Sequence, residues 1–218
     1  SDEKEYSSEQ YDIISKRLYG VVFGVASQIV EEGVCSMEDV DRGAKVGLRW
    51  AKGPFELMNR IGVGNAYQMA ESYSELCKLS EGSSSWEVPE FFKQQASSNQ
   101  PWDFTYVDTN ISNGIATLTI NRPEAMNALN ETVVNQLTKA IDKVNADDSV
   151  DTIVIDGAGK AFVAGADVKF FVDKIRADSI DDIYEFTANG HKMLNSIENS
   201  SKTTVALTTG LALGGGLE

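Results

Sequence analysis

Two short segments of this sequence carry the residue types that backbone-amide chemistry needs. Lys160-Ala161-Phe162-Val163-Ala164-Gly165-Ala166-Asp167-Val168-Lys169 sets small side chains between an apolar run and a polar helix start, and Leu213-Gly214-Gly215-Gly216-Leu217-Glu218 sets three glycines after another apolar run. Small side chains let a ligand approach main-chain N–H groups closely, and a helix beginning there adds the positive end of its dipole. Two such N–H groups, one from each segment, would make an oxyanion hole. Other patterns fail on inspection. Gly157-Ala158-Gly159 runs into Lys160-Ala161-Phe162, so the third glycine of a dinucleotide fingerprint is missing, and Val154 stands where a phosphate-binding loop needs its first glycine. Gly62-Val63-Gly64 fails in the same way at Ala66 and Tyr67. Both pairs read as turn glycines. His191, the sole histidine, lies in a helix-period segment with no Ser or Cys motif near it and reads as a surface helix residue. Cys35 and Cys77 form no C-x-x-C pair, so neither a disulfide framework nor a metal site is expected.

The elements that would position these residues differ between the two halves. Ile14, Leu18, Val21, Val22, Val25 and Ile29 recur at helical spacing and predict a long amphipathic helix over 9–33, ended by Gly33. Ser36 reads as the N-cap of a second helix, with Asp39 three residues on. Asp39 and Asp41 read as a solvated helix start. Gly53-Pro54 breaks the segment, Phe55 to Val63 form a third helix, and Ala66 to Leu79 a fourth, closing at the polar run 80–85. Beyond Ser97-Ser98-Asn99-Gln100-Pro101 the period becomes two: Ala116, Leu118 and Ile120 alternate with Thr117 and Thr119 as a half-buried strand does. A helix over Val133 to Val144, a strand over Thr152 to Ile155, a helix over Ile183 to Ile197 and a strand over Thr204 to Leu207 follow. The fold class is mixed, a small all-α domain followed by an α/β layer domain.

At this point the residues carry a resemblance. Asn121-Arg122-Pro123-Glu124-Ala125-Met126-Asn127-Ala128-Leu129, Ala164-Gly165-Ala166-Asp167 and the run Ala212 to Glu218 resemble, in that order, three motifs of the crotonase (enoyl-CoA hydratase/isomerase) superfamily. Arg17-Leu18, Glu32-Gly33, Glu38-Asp39-Val40-Asp41 and Gly53-Pro54-Phe55-Glu56-Leu57-Met58 are similar to the C-terminal helical domain of 3-hydroxyacyl-CoA dehydrogenases, in its second repeat. The resemblance implies a helical domain over 1–95, a linker over 96–103, and over 104–218 the first half of a crotonase-like ββα-spiral domain that is truncated. It implies that Ala166 and Gly215 donate N–H groups to the thioester oxygen of an acyl-CoA. It further implies that Ala166, Asp167, Val168 and Lys169 hold CoA, and that Glu218 is the first of two catalytic glutamates. The second would lie beyond the chain, as would the dinucleotide-binding domain of the dehydrogenase, so no cofactor is expected here and NAD only for that domain. Thr203 and Thr209 depart from the family, which usually has Pro and often Asn there.

Composition narrows the partners. The formal net charge is −14, which repels a phosphate backbone, so nucleic acid is not expected. No run of about 18 apolar residues is present and the N-terminus is acidic, so neither a membrane span nor a signal peptide is expected, and a reducing cytoplasm is the expected setting. The expected function is that of part of a bifunctional fatty-acid enzyme, hydrating enoyl-CoA and oxidising 3-hydroxyacyl-CoA, with a homo-oligomer possible and with this chain by itself expected to be weakly active or inactive. The alternatives are a noncatalytic assembly module and a crotonase-like isomerase or hydrolase.

Overall fold

A computed structural model describes residues 7–79 and 86–218; the expected polar run at 80–85 lies outside the described residues. The chain divides into two compact units between Phe104 and Thr105.

The first unit is helical. In α1 (Ser8–Glu31) the Ser7 side chain accepts from Gln10 N–H while the Gln10 side chain accepts from Ser7 N–H, a reciprocal cap that starts the helix. Its inward side carries Gly20, Phe23, Gly24, Ala26 and Ser27, not the expected stripe, of which Ile14, Leu18 and Val25 are exposed, because the small residues let Phe23 and the neighbouring helices pack closely. By length and composition alone α1 could also cross a membrane, a criterion that the core helix of a soluble protein passes too. Ser36 caps α2 (Met37–Gly47) by accepting from Asp39 N–H, as its sequence position predicts. Three further helices follow: α3 (Pro54–Ile61), α4 (Val63–Lys78) and α5 (Glu90–Ser98). Phe23, Phe55, Met58, Val63, Ala66, Ala70, Phe92 and Trp102 form their shared core.

Two expectations need correction. Residues 96–98 belong to α5, and Trp102 is buried against Phe55, Phe91 and Phe92, so much of the expected linker is structural. The reason is local: Trp102 N–H donates to Asn59 Oδ1 at 2.7 Å and Trp102 O accepts from Asn59 Nδ2 at 2.9 Å, which pins the polar stretch to α3. Asp41 is not solvated either. It is 2% exposed and caps α3 from another helix, accepting Phe55 N–H on Oδ1 at 2.8 Å and Glu56 N–H on Oδ2 at 2.9 Å. Gly53 makes room for it, since a Cβ there would stand 2.2 Å from Asp41 Cγ.

The second unit is α/β. Strands β1 (Val107–Ser112) and β2 (Ile115–Ile120) form an antiparallel hairpin, and β3 (Thr152–Gly157) and β5 (Thr203–Leu207) extend it in parallel, in the order β1-β2-β3-β5. β1 is absent from the sequence reading because only Val107 in it is buried, so it has no apolar alternation. The readable signal was the turn: Asn113 and Gly114 both take positive φ, as a two-residue hairpin loop requires. Asn130 caps α6 (Glu131–Asn145), which crosses from β2 to β3 and buries Val133, Val134, Leu137, Ile141 and Val144. Between β3 and β5 lie β4 (Ala161–Val163), α7 (Val168–Arg176) and α8 (Ile180–Glu198). β4 pairs in parallel with β6 (Leu211–Ala212), which leads into a 3-10 turn at Gly214–Gly216.

Burial pushes the Asp41 carboxyl up to about 6, with Glu56 adding to the rise, while the two amide donors and Lys45 oppose it. The ordinary value is 3.8, so from about pH 4 to about pH 6 the folded state binds more protons than the unfolded one. This group's contribution to stability therefore rises as pH falls through that window. In urea unfolding of the helical unit, the stability difference between wild type and Asp41→Asn should shift toward wild type from about pH 7 to about pH 4.5; a difference independent of pH would contradict this. Asp41→Ala, which leaves both amides uncapped, should cost about 1–2 kcal/mol.

Candidate functional site

The site is assembled by a loop between β2 and α6. After β2 the chain turns through Pro123–Ala125 and then places Met126 and Asn127 at φ 51° and 55°. Asn tolerates this left-handed conformation better than most residues. Asn127 is fully buried, and each of its side-chain polar atoms has a partner: Nδ2 donates to Ala158 O at 2.9 Å and Ala161 O at 2.8 Å, and Oδ1 accepts from Arg122 N–H at 2.9 Å. One amide thus ties the loop to the connection between β3 and β4. Because that connection runs from β3 into β4, the Gly157-Ala158-Gly159 turn faces no helix N-terminus, and Ala158 O is already engaged.

Downstream of Asn127 the two expected segments come together. Leu129 N–H donates to Gly165 O and Leu129 O accepts from Asp167 N–H, each at 2.8 Å, so Leu129 bridges Ala166 in parallel fashion. In that arrangement the N–H of Ala166 points away from Leu129. Leu213 N–H donates to Val163 O at 3.0 Å and carries the glycine run alongside. Gly216 must be glycine, since a Cβ there would lie 2.2 Å from Val163 O. A Cβ at Gly215 would meet Leu129 Cδ1 at 3.3 Å, so the glycine run passes beside the Leu129 side chain. Among the described residues neither Ala166 N–H nor Gly215 N–H has a backbone acceptor.

The other expected residues are placed unequally. Asp167 N–H is spent on Leu129 O, and Lys169 N–H on Asp167 Oδ1 at 3.0 Å. Asp167 is thus the N-cap of α7, and its own carboxylate occupies that helix's positive end. A ligand at this point would meet the exposed Val168 and the exposed Lys169 side chain. Asp167 Oδ2 accepts from Arg122 Nη1 at 2.8 Å, an ion pair largely removed from solvent. Sequence reasoning quoted Arg122 and Asn127 within a motif but assigned them no task, since their partners lie far along the chain. Glu218 is exposed and its N–H donates to Gly214 O at 3.3 Å. Glu218 and Gly215 border a cavity of about 610 Å³ walled by Leu129, Leu137, Met193 and Ile197 among others; Ala166 is not part of its lining. His191 is exposed on α8. Among the described residues no cluster of three or more metal-binding side chains occurs.

Residues 115–218 match the enoyl-CoA hydratase/isomerase family, and residues 14–101 match the C-terminal domain of 3-hydroxyacyl-CoA dehydrogenase. The chain joins a segment similar to the one family to a segment similar to the other. Over 105 residues it is 43% identical to crotonyl-CoA hydratase of Syntrophomonas wolfei, covering 48% of this chain and 39% of that protein. Over 109 residues it is 31% identical to the fatty acid oxidation complex subunit alpha of Ectopseudomonas oleovorans, covering 50% of this chain and 15% of that one. A solved structure from Pseudomonas aeruginosa superposes with a TM-score of 0.51 at 30% identity, over 53% of this chain and 49% of the other. The chain spans 38% to 39% of the length of the first curated relatives it matches. The crotonase-like segment uses Asn127 as its internal tie, which gives a direct test. Asn127→Ala withdraws both donors and the acceptor from buried partners and should cost about 3 kcal/mol in denaturant unfolding. Asn127→Asp keeps the acceptor for Arg122 but turns a carboxylate toward two carbonyls, so it should be at least as damaging at neutral pH; a milder effect would place the tie elsewhere.

Proposed function

We propose that this chain is part of an acyl-CoA enzyme that hydrates an enoyl-CoA to a 3-hydroxyacyl-CoA, with a helical unit of the kind that accompanies 3-hydroxyacyl-CoA oxidation. The observation that carries the reading is the pair of unengaged amides, Ala166 N–H and Gly215 N–H, on two segments joined by the bond from Leu213 N–H to Val163 O. Hydration of a conjugated thioester places a hydroxyl at C3 and a proton at C2, and negative charge develops on the thioester oxygen in between. Two preorganised N–H donors stabilise that charge without reorganising, and one such donor is typically worth on the order of 3–4 kcal/mol of barrier.

In this reading Glu218 orients the attacking water and takes its proton, its exposed side chain standing in contact with solvent. The Lys169 side chain, exposed at the start of α7, supplies a local positive charge for the CoA phosphates within a chain of net charge −14. Asp167 serves by capping α7, with Val168 presented beside it. Oxidation of the 3-hydroxyacyl product with NAD belongs to a dinucleotide-binding domain, and none of the residues placed here takes part in it. The cytoplasm is the setting that fits two free cysteines.

Hydration of crotonyl-CoA by this chain, followed through loss of the enoyl thioester absorbance, tests the proposal. Weak turnover that is lost in Glu218→Gln is the expected result. Calorimetric titration with an acyl-CoA separates the alternatives: micromolar binding, with or without turnover, supports a formed acyl-CoA site, and no binding at all would favour a noncatalytic assembly module.

A further inference from the structure

One ion pair in the crotonase-like unit has more contacts than capping a helix requires. Arg122 Nη1 donates to Asp167 Oδ2 at 2.8 Å and to Ala128 O at 3.1 Å. Ala128 and Asp167 are the immediate neighbours of Leu129 and Ala166, the two residues of the parallel bridge. A single nitrogen therefore grips both strands of that bridge, one residue away on each side. The pair is well shielded, with the two side chains 17% and 16% exposed. Arg122 is itself fixed at both ends, its N–H donating to Asn127 Oδ1 and its guanidinium lying 5.7 Å from the Tyr106 ring centre. Asp167 is fixed as well, its second oxygen accepting Lys169 N–H. Arg122 thus engages Ala128 O, whose peptide donates Leu129 N–H to Gly165 O, and Gly165 O belongs to the peptide that presents Ala166 N–H.

We propose that Arg122 and Asp167 are positioning residues that hold the Ala166 amide in the direction needed to polarise an acyl-CoA carbonyl. The inference rests on the reading of Ala166 N–H as an oxyanion donor. Its physical basis is that a donor in such a hole stabilises charge only when its direction is set before the reaction, and a peptide held on one side alone can rotate away. Arginine suits the task because its planar, permanently charged group has several donors in fixed geometry.

The test uses the full chain and 4-dimethylaminocinnamoyl-CoA, a thioester whose absorbance moves to longer wavelength as its carbonyl is polarised. With wild type the bound probe should show such a red shift. Asp167→Asn keeps the oxygen that caps α7 and removes the charge, and Arg122→Met keeps an apolar stem and removes the cation. Both should bind the probe with affinity lowered less than about tenfold and lose at least about half of the red shift, whereas Arg122→Lys recovers part of it. Met58→Ala, in the core of the helical unit, should lower stability and leave the shift intact. If Arg122→Met does not fold, Asp167→Asn decides alone. A wild-type shift that Asp167→Asn and Arg122→Met retain in full, or enlarge, overturns the positioning role and leaves the proposed function standing. No red shift with wild type overturns the amide-pair reading and this inference with it.

Discussion

The crotonase-like unit depends on a single buried side-chain amide. Asn127 is the meeting point of three segments, the turn after β2, the turn after β3 and the start of β4, and it spends two donors and one acceptor on their main chains. A buried carbonyl without a donor is costly, so these segments cannot separate without leaving polar groups unpaired. From this tie the chain runs through Ala128 to Leu129, and the bridge from Leu129 to Ala166 follows. The position of the glycine run is then set by the bond from Leu213 to Val163 and by the close approach of Gly216 to the same residue. Hydrophobic burial under α6 supplies most of the driving force, but it is non-directional. The hydrogen bonds decide which way the amides point.

The helical unit solves a different problem with a related device. The first turn of α3 starts at a glycine and a proline and has no side chain of its own at the cap position to satisfy its amides. Asp41 reaches in from α2 and accepts two of them, and Gly53 leaves the space for it. Around it Glu56 accepts from Gly53 N–H at 3.2 Å and from Lys45 at 2.7 Å, so the corner between α2 and α3 is polar yet satisfied. The cost of burying that carboxylate appears as its raised pKa, the outcome expected when desolvation outweighs two hydrogen bonds.

Much of the fold was legible from periodicity. The apolar stripes of α6 and α8, the alternation of β2, and Ser36 as a cap all follow from residues within one or two turns of each other, which is the range over which sequence pattern reports structure, whereas α1 was legible as a helix but not in the face it buries. What escaped did so for identifiable reasons. β1 exposes nearly all of its residues and so has no alternation to read. Trp102 lies in a polar stretch and is buried only because Asn59 and three aromatic rings receive it. Asp41 looks like a surface acid until α3 folds back on it.

The candidate site divides along the same line. Sequence alone determined which residues are small enough to expose main-chain amides, Gly165, Ala166, Gly214, Gly215 and Gly216, and it determined their order along the chain, because side-chain size and chain order are properties of the residues themselves. Only the tertiary structure decided which amides remain unengaged. The amides of Asp167 and Lys169, equally plausible as ligand donors from their spacing, are consumed by Leu129 and by the Asp167 carboxylate, while those of Ala166 and Gly215 are left without backbone acceptors. Whether an N–H is free depends on what the rest of the chain brings within hydrogen-bonding distance, and for Asp167 the partner, Leu129, comes from more than thirty residues away.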